Sequence, residues 1–187
     1  GNLFEQVAKF RAGRSLWASI MQEQYGAVQP GSMWMRMIAG GGGGGLTFEQ
    51  PELNIVRGAY YALICALSGT QTMALCCYDE AYTIPSEYAQ RISLRTMQLL
   101  IEEMGLSDTV DPLGGSYYVE TLTNQMRARM EAIMTEVDAQ GGIVKLIAEG
   151  AIQARVSAQA YRRQRDIDAG SYRKVGVNCY RVKEEEE

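Results

Sequence analysis

The sequence predicts an α/β protein built on a small parallel sheet. Three observations carry the prediction. Helical segments alternate with short apolar ones along the chain. The connections between them are short. The apolar segments read as nearly continuous runs, the pattern of strands covered on both faces.

The elements follow in order. Phe4, Val7, Ala8, Leu16, Trp17 and Ile20 fall at helical spacing, so residues 2 to about 25 read as an amphipathic helix. Gln29-Pro30-Gly31-Ser32 is a turn, and Met33 to Ile38 is expected to be a buried strand. Arg36 is the unusual charge in that run; a buried arginine needs an acid of the fold or an anionic ligand as partner. Thr47 and Gln50 form a candidate capping box with Pro51 in the first turn, opening a helix that runs through Val56, Tyr60 and Leu63 and stops at Gly69.

Thr70 to Leu75 is a second short strand, followed by a loop from Cys76 to Ile84. Pro85-Ser86-Glu87 starts a helix that ends at Gly105. Thr109 to Pro112 is a short strand or extended segment, and Ser116 to about Ala139 is helical. Helical stretches at 143–149 and 151–168 and an extended piece from Lys174 to Tyr180 complete the chain. About three strands cannot close a barrel and would leave open edges, so the sheet needs strands from elsewhere. The expected division is residues 1–140 as βα units and 141–187 as a helical extension and tail.

Composition narrows the function. The chain has 187 residues, 47% hydrophobic and 21% charged, with a net charge of −4, ordinary for a globular domain. It has no basic stripe, which argues against nucleic acid; the Arg162-Arg163-Gln164-Arg165 cluster is balanced by Asp166 and Asp168 and reads as a solvated or interface face. No apolar run is long enough for a transmembrane helix, and the first ten residues do not read as a signal peptide. The terminal acids Glu184 to Glu187 read as a solvated tail. Cys65, Cys76, Cys77 and Cys179 lack metal-ligand spacing and are expected as free thiols in a reducing cytoplasm. There is no histidine, so this chain supplies no histidine base or ligand, and no residue is assigned a catalytic or metal-binding role.

Gly40 to Gly45 are six consecutive glycines placed between a strand and a helix. They read either as a flexible linker or as a ligand-facing loop at the carboxyl end of a strand. Asp79-Glu80 closes the loop after the second strand; it is either a solvated pair or an acceptor of ligand hydroxyls. Asp111-Pro112-Leu113-Gly114-Gly115-Ser116 reads as a strand-to-helix turn.

A set of motifs occurs in order: Lys9 to Arg14, Asn54-Ile55-Val56-Arg57, Gly69-Thr70-Gln71-Thr72, Asp79-Glu80-Ala81, Leu94-Arg95-Thr96, Asp111 to Glu120 and Val175-Gly176-Val177-Asn178. Together they resemble the large, substrate-binding subunit of the adenosylcobalamin-dependent acyl-CoA mutases, the methylmalonyl-CoA mutase family, over essentially the whole chain. The resemblance implies the C-terminal part of a (β/α)8 TIM barrel plus following helices. Such a barrel encloses acyl-CoA along its axis, and a separate domain or subunit carries cobalamin. The implied isomerase chemistry is homolysis of the cobalt–carbon bond, hydrogen abstraction by the adenosyl radical and a carbon-skeleton shift.

By the same resemblance, Arg36 and Gln71 line the substrate cavity and Glu80 bonds the adenosyl ribose. The sequence departs from the family where Ile38 stands for a histidine, Gly40 for a glutamine, and Ala74-Leu75-Cys76 for His-Thr-Asn. Cys76 then sits where an asparagine would help hold the ribose. The glycine run keeps the family's length, so Gly40 and Gly41 are assigned to the substrate cavity and not to a linker. Fewer polar anchors and more volume imply an acyl group other than methylmalonyl. The alternative is a non-catalytic assembly subunit that kept the fold and lost the anchors.

Overall fold

A computed structural model describes residues 2–182; the predicted acidic tail lies outside the described residues. The chain forms two compact units, Gly1–Glu131 and Ala132–Glu187.

The first unit opens with α1, Leu3–Glu23. Asn2 caps it by accepting the Glu5 amide at 3.2 Å. Its buried stripe is Val7, Ala8, Ala12 and Leu16, and it packs on α2, Leu53–Leu67. Arg14 Nη1 of α1 donates to the carbonyl of Ser68, just past the end of α2. The second strand β2 is Thr72–Leu75, and α3, Glu87–Glu102, follows it. Ser86 caps α3 by accepting the Ala89 amide at 3.1 Å.

The first strand departs from expectation. Pro30–Met33 is a 3-10 turn, and β1 is Ile38–Gly41. Apolar character pointed to Met33–Ile38, but the strand is chosen by close packing against α2. The residues it buries are Ala39 and Gly41, and at Gly41 the ring of Tyr61 leaves no room for a larger one. Arg36 accordingly precedes the strand and is exposed, not buried within it. Gly43–Gly45 form a second 3-10 turn.

The expected capping box does not open the helix. Helix α2 starts at Leu53, and the Thr47 hydroxyl donates to the Glu49 carbonyl instead, at 2.8 Å. Gly69 ends the helix at a positive φ of 66°.

β1 and β2 are parallel neighbours in a two-stranded sheet, with Ile38 opposite Thr72 and Gly41 opposite Leu75. Helix α2 supplies the crossover. One face, carrying Ala39, Gly41, Met73 and Leu75, is turned to the helices; Gly58 of α2 sits against Leu75. The other face, carrying Ile38, Gly40, Thr72 and Ala74, is exposed. An all-parallel sheet with one bare face is incomplete by itself.

The expected third strand does not form. Asp111 takes a left-handed conformation with φ 48°, and its carboxylate is held by Arg11 of α1, so Thr109–Pro112 is a turn. Helix α4, Tyr117–Ala139, begins in this unit, with Val119 buried.

In the second unit, α5 is Ile143–Ala148 and α6 is Ala151–Asp168. The expected extended piece at 174–180 is a turn closed by a single bridge between Val175 and Cys179. Asn178 builds it: its Oδ1 accepts the Lys174 amide at 2.7 Å, and its Nδ2 donates to the carbonyls of Ile167 and Tyr172, each at 2.8 Å.

Candidate functional site

The residues assigned to ligands lie along the parallel strand pair, most of them at its two ends. At the amino ends is a cavity of about 450 Å³ lined by Trp34, Arg36, Met37, Ile38, Gln71 and Thr72. Ile38 and Thr72 are the first residues of their strands, which fixes that position. Gln71 Oε1 accepts the Met37 amide at 3.4 Å, joining the segments that enter β1 and β2. Arg36 brings the cavity's single charge among its lining residues.

At the carboxyl ends, Cys76 follows β2, and its thiol donates to the carbonyl of Gly41, the last residue of β1. Next to it, Glu80 Oε1 accepts the Cys77 amide at 2.7 Å while the residue itself is exposed. Arg36 and Gln71 are therefore brought together at one end, and Gly41, Cys76 and Glu80 at the other. A four-residue strand puts about 10 Å between the two groups. Gly40 lies between them on the bare face.

The loop after β2 is tightly held. Asp79 is 3% exposed. Its Oδ2 accepts the Ser86 amide at 2.9 Å, and its carbonyl accepts the amides of Tyr82 and Thr83. Asp79 Oδ1 is buried with no hydrogen-bond partner. Phe48, after β1, meets Tyr82 edge to face at 5.7 Å between centroids. Asn54, which the sequence offered only as part of a motif, is the buried link between the two loops. A lone asparagine in the first turn of an apolar helix was the available signal.

Burial pushes the Cys76 and Cys77 thiols above their ordinary value, and the Glu80 carboxylate beside them adds to the effect. Both stay protonated at neutral pH and are poor nucleophiles. Alkylation of Cys76, followed by peptide mass spectrometry, is expected to keep accelerating past pH 9. A rate plateau below pH 8 would contradict this. The cysteines Cys65, Cys76, Cys77 and Cys179 are all free. Among the described residues no acid or thiol cluster forms a metal cage, and no helix is long and apolar enough to cross a membrane.

The family model for methylmalonyl-CoA mutase matches residues 1–187. The chain belongs to the methylmalonyl-CoA mutase family. It is 41% identical to the 2-hydroxyisobutanoyl-CoA mutase large subunit of Aquincola tertiaricarbonis, covering 100% of this chain and 33% of that protein. It is 42% identical to the methylmalonyl-CoA mutase of Cereibacter sphaeroides over 99% of this chain and 26% of the relative. Human mitochondrial methylmalonyl-CoA mutase is 36% identical over 99% of this chain and 25% of its own length. The chain thus spans a quarter to a third of these relatives. Membership agrees with the architecture: a strand–helix–strand unit with one bare sheet face is part of an α/β mutase barrel.

Proposed function

We propose that this chain is the C-terminal part of the barrel of an adenosylcobalamin-dependent acyl-CoA mutase, acting on an acyl-CoA other than methylmalonyl-CoA. The bare face of the sheet supports this reading best. Of the substitutions that distinguish the chain from the family pattern, Ile38, Gly40 and Ala74 fall on that face, Leu75 faces the helices and Cys76 follows β2. Where the family pattern carries polar anchors, this face carries an isoleucine, a glycine and an alanine, with Thr72 as the polar group between them. Such a wall suits a branched, uncharged acyl group; the strand residues themselves offer a second carboxylate no charged partner, and Arg36 stands beyond them at the amino ends.

The cofactor test rests on Glu80. Its carboxylate is exposed yet tethered by the Cys77 amide, so it is oriented without being used up. That is what an acceptor for ribose hydroxyls requires. Cys76 beside it contributes a neutral thiol already committed to the Gly41 carbonyl, a weaker partner than an amide. Adenosylcobalamin, when bound, supplies radical chemistry through its cobalt–carbon bond. The chain's own task is to hold the ligands at fixed separation and exclude water. Arg36 and Gln71, at the opposite end of the strands, are assigned to the acyl-CoA, and Gly40 and Gly41 to the wall between. The remaining barrel strands and a cobalamin-binding domain or subunit are the required partners. Residues 1–140 are assigned to the barrel and 141–187 to the extension, with the turn at Gly141 and Gly142 between them. The free thiols fit a cytoplasmic setting.

The decisive experiment is a panel of acyl-CoA thioesters offered to the full-length protein with its cobalamin-binding partner. Turnover of a branched, uncharged acyl-CoA is expected to exceed that of methylmalonyl-CoA at least about tenfold in kcat/KM, the scale of a methyl-sized pocket difference. Faster turnover of methylmalonyl-CoA would refute the specificity. Tight adenosylcobalamin binding with no turnover on any thioester would favour the non-catalytic assembly subunit. Glu80→Gln should weaken adenosylcobalamin binding and leave acyl-CoA binding unchanged.

A further inference from the structure

Asn54, in the first turn of α2, is 1% exposed, and its side-chain hydrogen bonds go to neither of the proposed ligand groups at Arg36 and Glu80. Its Oδ1 accepts the Thr47 amide at 3.0 Å and Arg57 Nη1 at 2.8 Å. Its Nδ2 donates to the Thr47 carbonyl at 2.8 Å and the Tyr78 carbonyl at 2.9 Å. A primary amide has two donors and room for two acceptor bonds, so its capacity is fully used. Arg57 backs the arrangement by donating to the Thr47 hydroxyl at 2.8 Å.

The two segments held are different loops. Thr47 follows the glycine run after β1; Tyr78 lies in the loop after β2, between Cys76 and Glu80. One buried side chain therefore ties together the loops at the carboxyl ends of adjacent parallel strands. The tie reaches Glu80 through the backbone, since Tyr78 follows Cys77, whose amide holds the Glu80 carboxylate. A purely local helix-start role would need no bond to Tyr78, 24 residues away.

We propose that Asn54, supported by Arg57, is a positioning residue that fixes the separation of the glycine loop from the Glu80 loop. It thereby sets where a ligand held at Glu80 stands relative to the wall formed by β1. This role rests on the mutase reading, but the clamp itself does not.

The test uses the full-length protein with its cobalamin-binding partner and the variant Asn54→Asp. The aspartate keeps the shape and the acceptor, and replaces two donors by an oxygen facing two carbonyls. Hydrogen exchange should accelerate about fivefold to tenfold at the amides of both Thr47 and Cys77, the scale of one net hydrogen bond. The amide of Ala62, in the middle of α2, should be unaffected. Adenosylcobalamin affinity should fall by a similar factor, with acyl-CoA affinity within about twofold. Acceleration confined to Thr47, or unchanged adenosylcobalamin affinity, would overturn the proposal. If Asn54→Asp does not fold, Arg57→Lys should give the same pattern at smaller amplitude, and its absence would be equally fatal. Failure of the unaltered protein to bind adenosylcobalamin would refute the mutase reading and the positioning role with it. The exchange data would still decide whether the clamp exists.

Discussion

Gly41→Ala should destabilise the full-length protein by about 2 kcal/mol, whereas Gly43→Ala should be neutral or slightly stabilising. The contrast follows from what a Cβ would meet. At Gly41 it would stand 2.5 Å from Tyr61 Cδ2 and 3.1 Å from Tyr61 Cβ and Cγ. At Gly45 it would strike the Tyr61 hydroxyl, and at Gly40 it would lie 2.6 Å from the backbone oxygen of Ala74. At Gly42, Gly43 and Gly44 nothing lies within 4 Å. None of these six has a positive φ, so the backbone angles themselves do not demand glycine. Space demands it at Gly40, Gly41 and Gly45. At the other three, alanine reduces the freedom of the unfolded chain and costs nothing in the folded one. Urea unfolding midpoints at constant slope measure the difference. Pairing Gly41→Ala with Tyr61→Ala should recover part of the loss, because the ring is the main obstacle. Equal effects at Gly41 and Gly43 would show that the run is a uniform flexible loop after all. At Gly40 the obstacle is the Ala74 oxygen, so a glutamine there must first push β1 away from β2.

The helices were legible because their signals are local. Apolar spacing, the Ser86 cap and the glycine at 69 lie within a few residues of the element they define. The parallel pairing was legible from the alternation of elements. The first strand was misplaced because its position is set by Tyr61, a residue in the next helix, and no apolar pattern along Met33–Ile38 carries that information. The expected strand at Thr109–Pro112 failed for a similar reason. Arg11, 100 residues earlier, captures Asp111 and turns the chain. At the site, Glu80 and Gln71 could be singled out by residue type and resemblance. That Arg36 and Gln71 lie at one end of the strands and Cys76 and Glu80 at the other depends on where the strands begin. Asn54 was hidden because three of its four side-chain hydrogen bonds go to backbone groups, which leave no trace in side-chain patterns.

Arg11→Met should cost roughly 2 kcal/mol, toward the low side of breaking a buried pair because both carboxylates reach solvent. The guanidinium, 12% exposed, donates Nε to Asp111 Oδ1 at 3.0 Å and Nη2 to Glu120 Oε1 at 2.7 Å. Nη1 adds the Thr123 hydroxyl at 2.9 Å. One arginine thus joins α1, the turn that replaced the third strand, and the start of α4. Methionine preserves much of the aliphatic volume but leaves two carboxylates facing each other. The bond from Arg11, followed by that from the Gly115 amide, holds the Glu120 carboxyl below its ordinary value of 4.5. A depressed carboxyl contributes stability that is present above 4.5 and lost as pH falls through the lower folded value. The gap in unfolding midpoint between Arg11→Met and the unaltered protein should therefore be widest near neutrality and narrow below about pH 4.5 as Glu120 takes up its proton. A gap that stays constant down to pH 3 would mean that Arg11 contributes through packing of its stem alone. Because the partners of Arg11 are Asp111, Glu120 and Thr123, while Glu80 is held by Cys77 and Gln71 by Met37, the variant should retain the ligand affinities of the unaltered protein wherever it remains folded.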